Sequence, residues 1–162
     1  MKTTRKFIKI LSMALILILL GLSLVSCGGT PAPDDASGTS GALNWSYVKD
    51  SKTLTVTGSG AMSDFETAAT VSWASVCAGV KTLVIGEGIT TIGNYAFYGM
   101  QALESVSLPS TVTSIGKFAF AYSAKLESVM LPTSVVSLGE SAFEGCGALT
   151  SIKLPASVTT VA

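Results

Sequence analysis

The sequence predicts a β-rich α/β solenoid, built from repeats of 23 residues with an N-terminal β-hairpin cap. From residue 80 onward the chain resembles itself every 23 positions, with no insertion or deletion. Apolar residues recur in fixed columns, and Phe97, Phe120 and Phe143 form one of them. A period of about 20 to 50 residues is typical of folds in which each unit buries its apolar face only against a stacked neighbour.

The repeat region spans residues 80–162. It contains three full repeats and a partial fourth, which are residues 80–102, 103–125, 126–148 and 149–162. Within the second repeat, Val106 and Leu108 lie two positions apart, which places both on the inward face of a short strand. Pro109 then ends the strand, because proline lacks the N–H that a central strand needs. The other repeats carry the same strand pattern at the same phase.

The second half of each repeat predicts another extended segment and then a bend. In the second repeat this segment carries Val112 and Ile115, and Gly116 marks the bend. A short helical or turn segment follows, and its Ala119-Phe120 pair is expected to point into the core. Equivalent glycines and Ala-Phe pairs occur in the neighbouring repeats, so we expect a buried ladder of rings.

Residues 42–79 predict a cap on the first repeat. Leu43, Trp45 and Tyr47 alternate with more polar residues, and residues 53–57 alternate again, which is typical of a β-hairpin with its turn at 49–52. Terminal units of repeat folds are atypical because one of their faces meets water.

The first 26 residues predict a lipoprotein signal peptide. A basic start precedes an apolar run over residues 10–25. The following Ser26-Cys27 resembles the lipobox of bacterial lipoproteins, and this resemblance implies that Cys27 is acylated at the new amino terminus. Residues 27–41 are small, polar and rich in Gly and Pro, so we expect a flexible tether. The protein is therefore expected to be exported and lipid-anchored to the bacterial cell envelope, with the membrane as a partner through the acyl chains.

The charge of the mature chain argues against nucleic acid as a partner. Four of the ten basic residues lie in the signal peptide, which leaves six Lys against ten Asp and Glu, a formal charge of −4. No basic patch remains to neutralise phosphates.

Residue types exclude several kinds of catalytic site. The chain has no histidine, which removes Ser-His and Cys-His nucleophiles and the commonest metal ligand. We therefore predict no catalytic residues, no metal site and no cofactor. One enzymatic alternative stays open: Glu104 and Glu127 share a column and would lie about 5 Å apart, as in retaining glycoside hydrolases.

The cysteines at 77 and 146 are predicted not to pair with each other. They lie three periods apart, so stacked strands would separate them by roughly 14 Å, whereas a disulfide needs Cα atoms within about 7 Å. We expect two buried thiols.

The candidate binding face is the outward side of the first strand in each repeat. We call this set the strand face, and it consists of Thr82, Val84, Ser105, Ser107, Ser128, Met130, Ser151 and Lys153. The column from Val84 to Lys153 varies between repeats while the inward columns on either side do not. Neutral surface positions vary in the same way. On the turn side, Tyr98 and Tyr122 are second candidates for contact, and Tyr95 and Phe118 are expected to be partly buried.

The pattern L-x-x-V-x-L-P-x-x-V-x-x-I-G-x-x-A-F over residues 80–162 resembles the leucine-rich repeats of BspA-type bacterial surface proteins. The resemblance implies a surface-exposed protein whose solenoid serves protein binding or adhesion, with a protein or glycan as the ligand. The alternatives are a self-assembling structural protein of the envelope and a carbohydrate-active enzyme. The chain stops at Ala162, fourteen residues into a repeat, so we expect the natural protein to continue, with end-to-end stacking of copies as the alternative.

Overall fold

The structure is a computed structural model that describes residues 34–162. The predicted signal peptide, Cys27 and the first part of the tether lie outside the described residues. The strands are β1 (Ala36–Ser40), β2 (Leu43–Val48), β3 (Thr53–Thr57), β4 (Gly60–Ala61), β5 (Thr82–Ile85), β6 (Ile89–Ile92), β7 (Ser105–Ser107), β8 (Ser114–Ile115), β9 (Ser128–Val129), β10 (Ser137–Leu138) and β11 (Thr160–Val161).

The larger sheet joins the N-terminal strands to the first strand of each repeat, in the order β1-β2-β3-β5-β7-β9. The pairs β1-β2 and β2-β3 are antiparallel, and the remaining pairs are parallel. Thr82 pairs with Ser105, and Ser105 with Ser128, so these paired residues lie 23 positions apart. A bridge between Met130 and Lys153 continues the same pattern.

The smaller sheet collects the second extended segment of each repeat, in the order β11-β10-β8-β6-β4. All its pairings are parallel, and Ile115 pairs with Ile92 on one side and with Leu138 on the other. Ile92 and Ile115 are almost completely buried. The second apolar column that the sequence predicted therefore faces the core.

The third side of the repeats is made of turns, and the helical part of the predicted fold is wrong for the described residues. Within residues 34–162 the only helical element is a single 3-10 turn, Cys77–Gly79. In the Ala-Phe segment, the N–H groups of Tyr95, Phe97 and Gly99 donate to carbonyls of the next repeat. An α-helix would need those groups for bonds to the fourth preceding residue, so the bonds between repeats replace the helix.

The N-terminal region is more ordered than the sequence predicted. The strands β2 and β3 pair as the predicted hairpin, with Tyr47 opposite Leu54. The expected tether over residues 27–41 is wrong at its end, because Ala36–Ser40 form β1 on the outer edge of that hairpin. Small alternating residues can pair as an edge strand when a neighbouring strand supplies hydrogen bonds and an apolar face.

A ladder of aromatic rings runs through the core. Trp73, Phe97, Phe120 and Phe143 are stacked in sequence, with ring centroids 5.3, 5.4 and 5.3 Å apart. Trp73, Phe97 and Phe120 are completely buried, and Phe143 is partly buried. The Trp73 indole N–H donates to the Ala96 carbonyl over 2.9 Å, so the cap joins the first repeat by a ring and by a hydrogen bond.

The two cysteines within the described residues do not pair with each other, as predicted. Cys146 is a buried free thiol whose pKa is raised by burial. Cys77 is buried and disulfide-bonded. The expectation of a thiol at Cys77 is therefore wrong.

Candidate binding surface

The strand face lies on the outer side of the larger sheet. Leu83 and Ile85 point into the core, so Thr82 and Val84, which alternate with them along β5, point outward. Thr82 and Val84 are half-buried, and the six later members, from Ser105 to Lys153, are exposed. Strand pairing joins Thr82, Ser105 and Ser128 in one row, and it joins Val84 to Ser107 and Met130 to Lys153 in the neighbouring row.

The strand face continues onto the N-terminal strands, which the sequence analysis did not predict. Thr55 pairs with Val84, Ser46 pairs with Thr55, and Ser37 pairs with Ser46. All of these outward residues carry hydroxyl groups except Val84. The pairing β3-β5 was not predictable from the repeat spacing, because its paired residues, such as Thr53 and Thr82, are not separated by 23 positions.

Met130 is the most prominent residue of the strand face. Its side chain is 85% exposed, which is unusual for a large apolar residue. It lines a groove of about 770 Å³ together with Leu131, Lys153 and Leu154. On its other side it lines a smaller groove of about 220 Å³ with Leu108 and Pro132. The face is therefore a hydroxyl-rich plane with one apolar ridge between two grooves.

In the alternative catalytic pair, Glu104 does not have the electrostatics of a general acid. Glu104 Oε1 lies 2.6 Å from Lys81 Nζ, and this hydrogen bond lowers the pKa of Glu104. A general acid needs a raised pKa, which an apolar surrounding or a second close carboxylate provides. Both partners of the ion pair are about 40% exposed, so it is worth little to stability.

Residues 34–162 contain neither a candidate membrane span nor a candidate metal cluster. In that part of the chain no helix has the length and apolarity to cross a bilayer. The same residues contain no group of three or more Cys, Asp or Glu side chains that could hold a metal ion.

The repeat region matches a family model described as BspA type leucine rich repeat region, in six copies, over residues 72–162. A search of curated proteins found no significant match. Among solved structures, a leucine-rich repeat protein from Eubacterium ventriosum is 28% identical with a TM-score of 0.63. The alignment covers 77% of this chain and 40% of that protein.

Two further structures show the same fold at lower identity. The T. pallidum leucine-rich repeat protein is 21% identical with a TM-score of 0.55, over 78% of this chain and 64% of that one. A leucine-rich repeat protein from Bacteroides ovatus is 22% identical with a TM-score of 0.50, over 83% of this chain and 37% of that one. The chain thus spans between about a third and two thirds of the length of these relatives.

Proposed function

Because the chain belongs to the BspA-type leucine-rich repeat family, we propose that it binds a partner protein through the strand face. Proteins of this family are bacterial surface proteins that generally bind proteins and are typically not enzymes. In this proposal the repeats form a solenoid with a period of 23 residues, and the protein is held at the cell surface for adhesion.

The observation that carries the proposal is the exposure of Met130 between two grooves. Burying a methionine side chain contributes about 1.5–3 kcal/mol, so a partner that covers Met130 and removes it from water is bound more tightly. Methionine adapts its shape to different surfaces, which suits a binding site. The surrounding hydroxyl groups can donate and accept hydrogen bonds at the rim of such an interface.

We predict that Met130→Glu weakens partner binding about tenfold or more, because it places a charge at the centre of the apolar ridge. Folding should be unaffected, since the side chain is 85% exposed. Binding is measured on an array of host and bacterial surface proteins, with wild type and variant side by side, and each protein bound by wild type is then titrated.

Val136→Glu is the matched control. Val136 is an exposed apolar residue, 45% accessible, and it lies next to β10 on the smaller sheet. The proposal requires that partners lost by Met130→Glu are kept by Val136→Glu. It fails if every partner binds Met130→Glu as tightly as wild type. Sedimentation of the unbound protein separates partner binding from end-to-end self-association.

The lipid anchor is a second part of the proposal. It rests on the signal-like N-terminus and on Cys27, which lie outside the described residues.

Expression of the full chain in a lipoprotein-processing bacterium tests whether Cys27 is acylated. We expect the wild-type protein to partition into detergent with the mass of an acylated N-terminal cysteine, and Cys27→Ala to stay in the aqueous phase. Cys146→Ala is the control, and it should partition like wild type. A wild-type protein of unacylated mass would contradict the anchor.

A further inference from the structure

Four aromatic residues form a strip on the turn side of the repeats, away from the strand face. They are Tyr95, Tyr98, Phe118 and Tyr122. The Tyr95 and Phe118 rings stack with centroids 5.2 Å apart, and the Tyr98 and Tyr122 rings lie 5.4 Å apart. The first three residues are half-buried, whereas Tyr122 is 43% exposed.

Tyr122 occupies a backbone conformation that favours glycine. Its φ is 59°, and the equivalent residues of the neighbouring repeats are Gly99 with φ 72° and Gly145 with φ 69°. A bulky residue in this region is strained, and such strain is concentrated at functional sites. Since glycine serves this turn in both neighbouring repeats, the turn itself does not require the ring.

The next repeat leaves space for the Tyr122 ring. A Cβ atom at Gly145 would lie only 2.7 Å from Tyr122 Cδ1, so the ring rests directly against the Gly145 backbone. The Tyr122 hydroxyl donates to Glu144 Oε1 over 3.0 Å, which fixes the other end of the side chain. The ring is therefore held in one position with part of its surface in water.

A neighbouring group in the same strip shows how a cation is bound on this side of the repeats. Lys117 Nζ lies 2.5 Å from Glu140 Oε2 and 5.2 Å from the centre of the Phe118 ring. This arrangement combines a cation with a carboxylate and an aromatic ring. Such contacts are favourable because the face of the ring is electron-rich.

Tyr122 and Glu144 also place a carboxylate beside an aromatic ring. Glu144 takes part in no ion pair within residues 34–162. Hydrogen bonds from Ser141 and Tyr122 lower its pKa, so the carboxylate is charged at neutral pH. Residues 34–162 also carry six Lys against ten Asp and Glu, which favours a basic partner.

We propose that Tyr98, Tyr122 and Glu144 bind an arginine or lysine side chain of a partner protein. The cation would lie beside the Glu144 carboxylate and over the exposed tyrosine surface, as Lys117 lies beside Glu140 and over Phe118. This second contact surface is separate from the strand face, so it can be tested without reference to Met130.

The probe is the peptide acetyl-Gly-Arg-Gly-Arg-Gly-amide, titrated into the purified protein while the tyrosine ring signals are followed by NMR. We expect the signals of Tyr98 and Tyr122 to shift and the Met130 methyl signal to stay in place. Glu144→Gln and Tyr122→Gly should each weaken binding about threefold or more. Tyr122→Gly restores the residue of the neighbouring repeats, and thermal unfolding verifies that it folds.

Glu127→Gln is the matched control, because it removes an exposed carboxylate on the strand side. It should leave the affinity for the peptide unchanged. The proposal is overturned if Glu127→Gln weakens binding as much as Glu144→Gln. It is also overturned if a peptide with citrulline in place of arginine binds equally well, or if the tyrosine signals do not shift.

Discussion

Replacing Phe120 by alanine should lower the free energy of unfolding by about 3–5 kcal/mol. The ring is completely buried, and it stacks on Phe97 and on Phe143 at 5.4 and 5.3 Å. Removing it leaves a cavity between two repeats, and neither neighbouring ring can fill that cavity without leaving its own stack. Equilibrium unfolding in urea measures the effect.

Phe143→Ala is the control for this prediction, because it is the same chemical change at a partly buried ring. Among the described rings, Phe143 stacks only on Phe120. The destabilisation should therefore be smaller than at Phe120. Equal losses at the two positions would mean that the rings do not form a ladder with a buried centre.

Gly93→Ala should destabilise the protein by about 3 kcal/mol, at the upper end of what overpacking usually costs. A Cβ atom at this position would lie 1.9 Å from the Ser63 carbonyl oxygen, a backbone atom that cannot rotate away. The methyl group would force the first repeat and the cap apart, next to the hydrogen bond from the Asn94 N–H to Asp64.

Gly147→Ala is the matched control, because a Cβ atom there would meet only the Ala124 carbonyl oxygen at 3.9 Å, an ordinary contact. It should change stability by less than about 0.5 kcal/mol, as surface substitutions usually do. Thermal unfolding of both variants measures the difference in stability. If Gly93→Ala were as stable as Gly147→Ala, this result would contradict the close contact between the cap and the first repeat at Gly93.

The inward columns could be predicted from the sequence because they repeat. Val112 and Ile115 are buried, and Val106 and Leu108 are partly buried against the core, as their spacing indicated. The bends at Gly93, Gly116 and Gly139 were also predictable, but their physical cause was not. A Cβ atom at each would collide with the backbone of the preceding segment, so glycine is needed for close approach.

Of the two predicted possibilities for the Ala-Phe segments, helix or turn, the structure shows turns. The local sequence could not decide between them because it does not show which carbonyl accepts each N–H group. Tyr95 and Phe118 have φ values of 56° and 53°, which break a helix. The N–H groups of the Ala-Phe segments are satisfied by the next repeat, at residues 22 positions away, such as Phe97 to Ala119. These hydrogen bonds form only when the repeats stack, so helix propensity, which depends on the local sequence, does not predict them.

The strand face was predicted within the repeats and missed in the cap. The repeats share a period, so Thr82, Ser105 and Ser128 could be aligned from the sequence. The cap has no period, and β1 and β3 join the sheet through pairings that only the folded chain defines. The place of Trp73 at the head of the ring ladder depends on the same packing.

The most direct test of this account is whether the rings of the ladder, of which the three Phe rings lie 23 positions apart, are neighbours in solution. A nuclear Overhauser spectrum of protein labelled at Trp and Phe measures it. We predict cross-peaks between the rings of Trp73 and Phe97, of Phe97 and Phe120, and of Phe120 and Phe143, with none between Phe97 and Phe143. Absence of the three sequential cross-peaks from the folded protein would contradict the stacked repeats and the surfaces built on them.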